Sequence, residues 1–197
     1  MRRTITALSL ALAVPVIAQA PGAPDPARVV SGSYTVDTPH TQVLFTVNHL
    51  GFTEYTGQFT NPTGTLVLDK ANPAVSKLEI VFPIDKVATT VPALDAHLKS
   101  PDFFDAAKFP EGKFVSTRIV AKGQTATISG DLTLKGVTKP VVLQAHFVGA
   151  GADMRSKKAY VGFAATTVIK RSDWGITYAP AVSDEVKLTI NAGFTQK

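Results

Sequence analysis

The sequence predicts an all-β domain, a closed antiparallel barrel or a sandwich, with one short helical insertion near residues 93–107. Three observations carry this. From Ser33 onward, short runs alternate apolar and polar residues between turns rich in Gly, Pro, Asn or Asp, the period-two pattern of half-buried strands. Only Leu94 to Pro110 places apolar residues at helical spacing, with Leu94 and Leu98 four apart and His97 between them. Finally, 197 residues are enough for one β domain with a single sizeable core, and the absence of Cys leaves stability to that core alone.

In chain order, residues 1–20 read as a cleaved secretory signal. Arg2 and Arg3 form a basic start, Ile5 to Ala18 is too short and too interrupted for a comfortable membrane span, and Ala18-Gln19-Ala20 is a small-x-small cleavage site. Cleavage after Ala20 places the mature chain in the periplasm or outside the cell; an uncleaved anchor is the alternative. Residues 21–31, opening on a Pro-, Gly- and Ala-rich run, read as a disordered leader, and 32–196 as the folded domain.

Strands are expected at Ser33–Val36, Thr53–Phe59, Thr63–Leu68, Lys113–Val120, Val141–Val148 and Tyr160–Ile169. Thr125 to Lys135 is the clearest, with Ala126, Ile128, Leu132 and Leu134 on one face. The same alternation groups Val43, Phe45, Val47 and His49; Leu78, Ile80, Phe82 and Ile84; and Val186, Leu188, Ile190, Ala192 and Phe194. Asn61-Pro62, Asn72-Pro73, Lys122-Gly123, Lys135-Gly136 and Gly149 to Gly151 read as the turns between them. Within the helical stretch, Ser100 is expected to cap a second short helix beginning at Pro101, with Asp102 at its positive end. Leu94, Leu98, Phe103, Phe104 and Phe109 expose more apolar surface than two single turns can bury between them, so the insertion must lie on the strands.

Catalysis finds no foothold. The four His show neither i, i+4 nor H-x-H spacing, so no metal is expected. No Gly-x-Ser-x-Gly elbow or phosphate-cradling Gly loop occurs, and Asp95, Asp102 and Asp105 read as caps and solvated faces. Removing residues 1–20 takes away two Arg and no acid, so the formal charge falls from +5 to +3, too mild and dispersed for nucleic acid. His49 is either a satisfied core histidine or a ligand-facing one. In Arg171-Ser-Asp-Trp-Gly175, Arg171 either pairs with Asp173 at a strand corner or meets an anionic head group at a barrel mouth. Eleven Phe against four Tyr give wide apolar faces with few polar handles.

Several motifs together carry a resemblance. Tyr34-x-x-Asp37-x-x-His40, Phe45-x-x-x-His49-Leu50-Gly51, Gly57-x-Phe59, His97-Leu98-Lys99-Ser100-x-Asp102-Phe103-Phe104-Asp105 and Phe109-Pro110 are followed by Gly130-Asp131-Leu132-Thr133-Leu134-x-Gly136-Val137-Thr138-Lys139-Pro140-Val141, Arg171-x-Asp173-x-Gly175 and Val182-Ser183-Asp184-x-Val186. In this order they closely resemble the YceI-like family of polyisoprenoid-binding proteins, across essentially all of Ser33 to Phe194. The resemblance implies a lipocalin-like extended antiparallel β-barrel, an exported protein, a long isoprenoid chain such as that of a quinone in the interior, and no catalytic residues or further cofactor.

On that fold the expected ligand wall is Phe45, Val47, His49, Phe82, Ile128, Leu132, Leu134, Phe163, Leu188 and Ile190, with Leu94, Leu98, Phe103 and Phe104 from the insertion and Arg171 and Trp174 from the 171–175 corner. Each isoprene unit contributes about 4 kcal/mol of gross burial at roughly 0.8 kcal/mol per carbon, before ordering costs. A transient membrane-surface contact and a homodimer are both compatible with this reading. Its rivals are an exported hydrolase or isomerase acting on an amphiphile with His49 as base, and a filled structural or stress-response barrel without ligand.

Overall fold

In the computed structural model, which describes residues 20–178 and 180–197, the alternating runs form twelve strands. They are β1 (Gly22–Ala23), β2 (Gly32–Val36), β3 (Gln42–His49), β4 (Thr53–Phe59), β5 (Thr63–Leu68), β6 (Lys77–Pro83), β7 (Val87–Ala88), β8 (Glu111–Lys122), β9 (Thr125–Leu134), β10 (Val137–Ala152), β11 (Ala159–Lys170) and β12 (Glu185–Gln196). Helix α1 (Pro92–Lys99) is inserted between β7 and β8. The signal-peptide reading of residues 1–20 falls, except for Ala20, outside the described residues.

Eight strands close antiparallel in the order β2, β5, β6, β8, β9, β10, β11, β12 and back to β2. Closure leaves no free edge around this circuit. The C-terminal strand β12 pairs with β11 from Tyr160↔Thr195 to Lys170↔Glu185, while its other edge is divided between β2 at Phe194–Gln196 and β3 at Lys187–Asn191. Through β3 the sheet continues to β4 and β7, which extends the wall beyond the barrel itself. These pairings put α1, the β9–β10 turn and the 171–184 segment at one end; the β5–β6 and β8–β9 turns and the β10–β11 connection lie at the other.

Several boundaries depart from the sequence reading for local reasons. Lys135 and Gly136 both have positive φ, at 46° and 74°, so a two-residue hairpin starts β10 at Val137 instead of Val141. Pro140 is tolerated inside this strand because β11 pairs with β10 only from Gln144 onward. Gly149 to Gly151, expected as a turn, continues β10 to Ala152. Residues 21–31, expected as a disordered leader, are docked: Gly22 and Ala23 pair with Gly151 and Ala150, and Pro26–Arg28 forms a 3₁₀ turn. A Cβ at Gly151 would collide with the carbonyl of Pro21, so the missing side chain is what admits the segment.

The second expected helix does not form. Ser100 instead ends α1, its N–H bonding the His97 carbonyl, and its buried hydroxyl has no partner. Turns follow, with Asp105 N–H to Ser100 O at 2.9 Å and Ala106 N–H to Lys99 O at 2.9 Å. Asp105 has a φ of 50°, a left-handed conformation through which a helix cannot continue. The turns drop Phe103 and Phe104 onto the strands, as their apolar surface requires.

Gly64, with a φ of 151°, sits where a Cβ would strike the backbone of Glu79 and Ile80 on β6. Gly64→Ala should therefore destabilise the fold by about 2 kcal/mol, a fall in Tm of roughly 4–8 °C by thermal circular dichroism.

Candidate functional site

Because β-strand side chains alternate, closing the sheet turns one apolar face of every strand toward the axis. They do not fill it. A cavity of about 480 Å³ remains, running from α1 and the 171–176 corner to the strap of residues 26–29. The reason is visible in cross-strand pairs: Phe45 faces Gly57 and Phe82 faces Gly112, and a Cβ on either Gly would clash with the opposing ring. Each ring lies over a glycine against the wall, which leaves the lumen open.

Fourteen of the sixteen expected wall residues line this cavity: Phe45, Val47, Phe82, Leu98, Phe103, Phe104, Ile128, Leu132, Leu134, Phe163, Leu188, Ile190, Arg171 and Trp174. Leu94 and His49 do not. Leu94 packs under α1 against the core cluster without reaching the lumen. His49 shares the parity of Val43, Phe45 and Val47, but β3 has by then run past the barrel end, where His49 pairs with Thr53 and bridges to Val182 and is exposed. It is neither a core histidine nor a base facing the cavity. The sequence reading missed Phe59, Phe114 and Leu143 as lining, although each alternates correctly on its strand, and also Pro26 and Val29, which sit in the supposed leader.

At the helical end, aromatic rings form the closure. Phe59 contacts Phe45 at 5.5 Å, Phe82 at 4.9 Å and Phe104 at 5.4 Å between centroids. Phe103 stacks edge-on with His97 at 4.9 Å and Tyr178 at 5.5 Å. Asp95 accepts from both the N–H and the hydroxyl of Thr89 at 2.6 Å, and Asp102 meets His97 Nε2 at 3.1 Å, so these carboxylates tether the insertion.

Arg171 and Trp174 turn out to be organising residues. Arg171 donates to the backbone carbonyls of Ile176, Tyr178, Val182 and Ser183 at 2.6–3.2 Å, fastening the segment after β11 around its guanidinium. The carboxylate at this corner is Asp184, which accepts from the N–H and hydroxyl of Ser172 at 2.9 and 2.8 Å. Those two bonds hold the Asp184 carboxyl below its usual range. Trp174 is 2% exposed and donates its Nε1–H to the Leu132 carbonyl at 3.1 Å, crossing from the corner to β9. Elsewhere Tyr160 donates to Asp37 at 3.0 Å; burial first and that carboxylate second push its phenol far above the usual range, so it stays a donor.

Polar groups at the cavity's ends are already engaged. Thr41 Oγ1 accepts from Gly193 N–H at 3.1 Å, Ser76 Oγ accepts from Asp69 N–H at 2.9 Å, and Lys70 Nζ donates to Ala27 O at 2.7 Å. The lumen thus offers apolar contact and few open hydrogen-bond partners, which suits a long hydrocarbon.

This topology is shared with known proteins. The YceI-like domain model matches residues 34–194. The chain belongs to the YceI-like family. Over 172 residues, 85% of this chain and 90% of the relative, it is 39% identical to Protein YceI of Escherichia coli O17:K52:H18 (strain UMN026 / ExPEC). BcnA of Burkholderia cenocepacia shares the fold with a TM-score of 0.72 at 22% identity, covering 80% of this chain and 98% of that one. A polyisoprenoid-binding domain from Saccharophagus degradans superposes with a TM-score of 0.65 at 13% identity, covering 83% and 98%. The YceI-like barrel is therefore lipocalin-like and antiparallel, as the motifs implied.

Two outcomes follow from the corner of this YceI-like chain. Arg171→Ala should cost about 2 kcal/mol and speed amide exchange across residues 176–183, and Arg171→Lys should not restore it, since one ammonium cannot span those carbonyls. Because the folded pKa of Asp184 is depressed, its contribution should be constant above about pH 4 and fade as acid protonates it below that, read from thermal stability against pH.

Proposed function

We propose that this barrel binds the hydrocarbon chain of a polyisoprenoid lipid, such as an isoprenoid quinone, and carries or sequesters it outside the cytoplasm without transforming it. The observation that supports this most is the apolar cavity of about 480 Å³, open along an axis where side chains of these types could have packed solid. A cavity of about 150 Å³ holds one benzene, so this volume takes about twenty carbons, or about four isoprene units. At about 4 kcal/mol gross per unit, that length binds tightly even after ordering costs. With few open polar partners in the lumen, selectivity rests on length and girth. The Saccharophagus degradans domain, a polyisoprenoid-binding one of the same fold, agrees in kind. Export rests on the signal-like residues 1–20.

Mass spectrometry of an organic extract tests this, with protein purified from its native host's envelope and a denatured and refolded sample as blank. A stoichiometric isoprenoid is expected, and an empty extract that stays empty after incubation with added quinone contradicts the reading. Phe103→Asp, which puts a charge at the helical closure, should abolish retention while circular dichroism still shows the barrel.

A further inference from the structure

The end of the cavity away from α1 is crossed by residues 21–31. On one flank the segment is held by the β1–β10 pairing and by Gln124 Nε2, which donates to Pro24 O at 3.2 Å. On the other, Lys70 Nζ donates to Ala27 O at 2.7 Å and Tyr34 Oη to Val30 O at 2.6 Å. Those anchors sit on β10 and the β8–β9 turn and on β2 and the β5–β6 turn, on separate sides of the barrel order, so the chain between them must span the opening. Pro26 and Val29, in mid-span, line the cavity. Side-chain-free Gly151 leaves the room that the segment occupies against β10.

We propose that this strap is the floor of the cavity and sets the length of chain it encloses. The inference rests on the carrier reading above and adds a determinant of specificity to it. The strap is held by one strand pairing of two residues and a few side-chain bonds, whereas the walls are held by full ladders, so the depth of the lumen depends on the part of the fold most easily changed. A chain of about four units fits between Phe103 and Val29; a longer one must leave part of its hydrocarbon in water or displace the strap.

Native mass spectrometry in competition format, with prenyl alcohols of three, four, six and nine isoprene units as probes, tests this. For the unaltered protein, affinity should rise at least about tenfold from the three- to the four-unit alcohol and no further for the six- and nine-unit ones, whose extra units gain no burial. Deleting residues 21–29 should abolish that plateau, so that affinity keeps rising to the six-unit alcohol. Lys70→Ala with Gln124→Ala, which releases both flanks without shortening the chain, should weaken it in the same direction and decides the matter if the deletion variant fails to fold. Val29→Trp should keep the three-unit alcohol and lose the four-unit one by about tenfold, because the indole takes about one unit's volume. If the unaltered protein binds the short alcohols and the variants show the same length limit, the strap is not the floor. If the unaltered protein binds none of the four, the carrier reading itself fails and the length limit fails with it.

Discussion

The division of strand β12 between partners is the constraint on which the rest depends. One edge runs the full length of β11, and the other gives three residues to β2 and five to β3. Pairing with β2 closes the eight-strand circuit, so the wall's backbone groups are satisfied within the ladder and the lumen need contain none. Pairing with β3 carries the sheet past the circuit and brings β3, β4 and β7 under the insertion that holds α1. A barrel closed by β2 alone would lack the surface on which Phe103 and Phe104 settle.

Closure alone would not leave room for a ligand, because eight strands enclose little more than their own side chains. Space comes from pairing large against absent side chains across neighbouring strands, Phe45 with Gly57 and Phe82 with Gly112. The rings are laid along the wall and contribute apolar surface without occupying the axis. The two ends are then treated differently. Aromatic contacts among Phe59, Phe103, Phe104 and Tyr178 close one, and a strap held by backbone bonds crosses the other.

The fold and most of the wall were legible in the sequence because both follow from period-two alternation, which Leu132, Leu134, Leu188 and Ile190 obey without interruption. What alternation cannot show is where a strand leaves the barrel. His49 has the right parity and the wrong position along the axis, and only the tertiary bridge to Val182 reveals it. Composition misled in the same way at residues 21–31, whose Pro, Gly and Ala content reads as disorder although their order comes from an edge of β10 more than a hundred residues away. Gly149 to Gly151 carried the signal for that docking, but a Gly-Ala-Gly run reads equally well as a turn. In place of a second helix, the N–H groups of Phe104, Asp105 and Ala106 bond back to Leu98, Ser100 and Lys99 at the end of α1, long-range turn geometry that a capping pattern at Ser100 does not show.

The most direct test of an open, lipid-holding lumen is a crystal structure of the protein bound to a four-unit prenyl alcohol. Continuous density is expected along the barrel axis, beginning beside Phe103 and Leu98 and ending against Val29, with the Phe45 and Phe82 rings still flat over Gly57 and Gly112. Density for the alcohol on the outer surface, with the phenylalanine rings swung inward to fill the lumen, would contradict it.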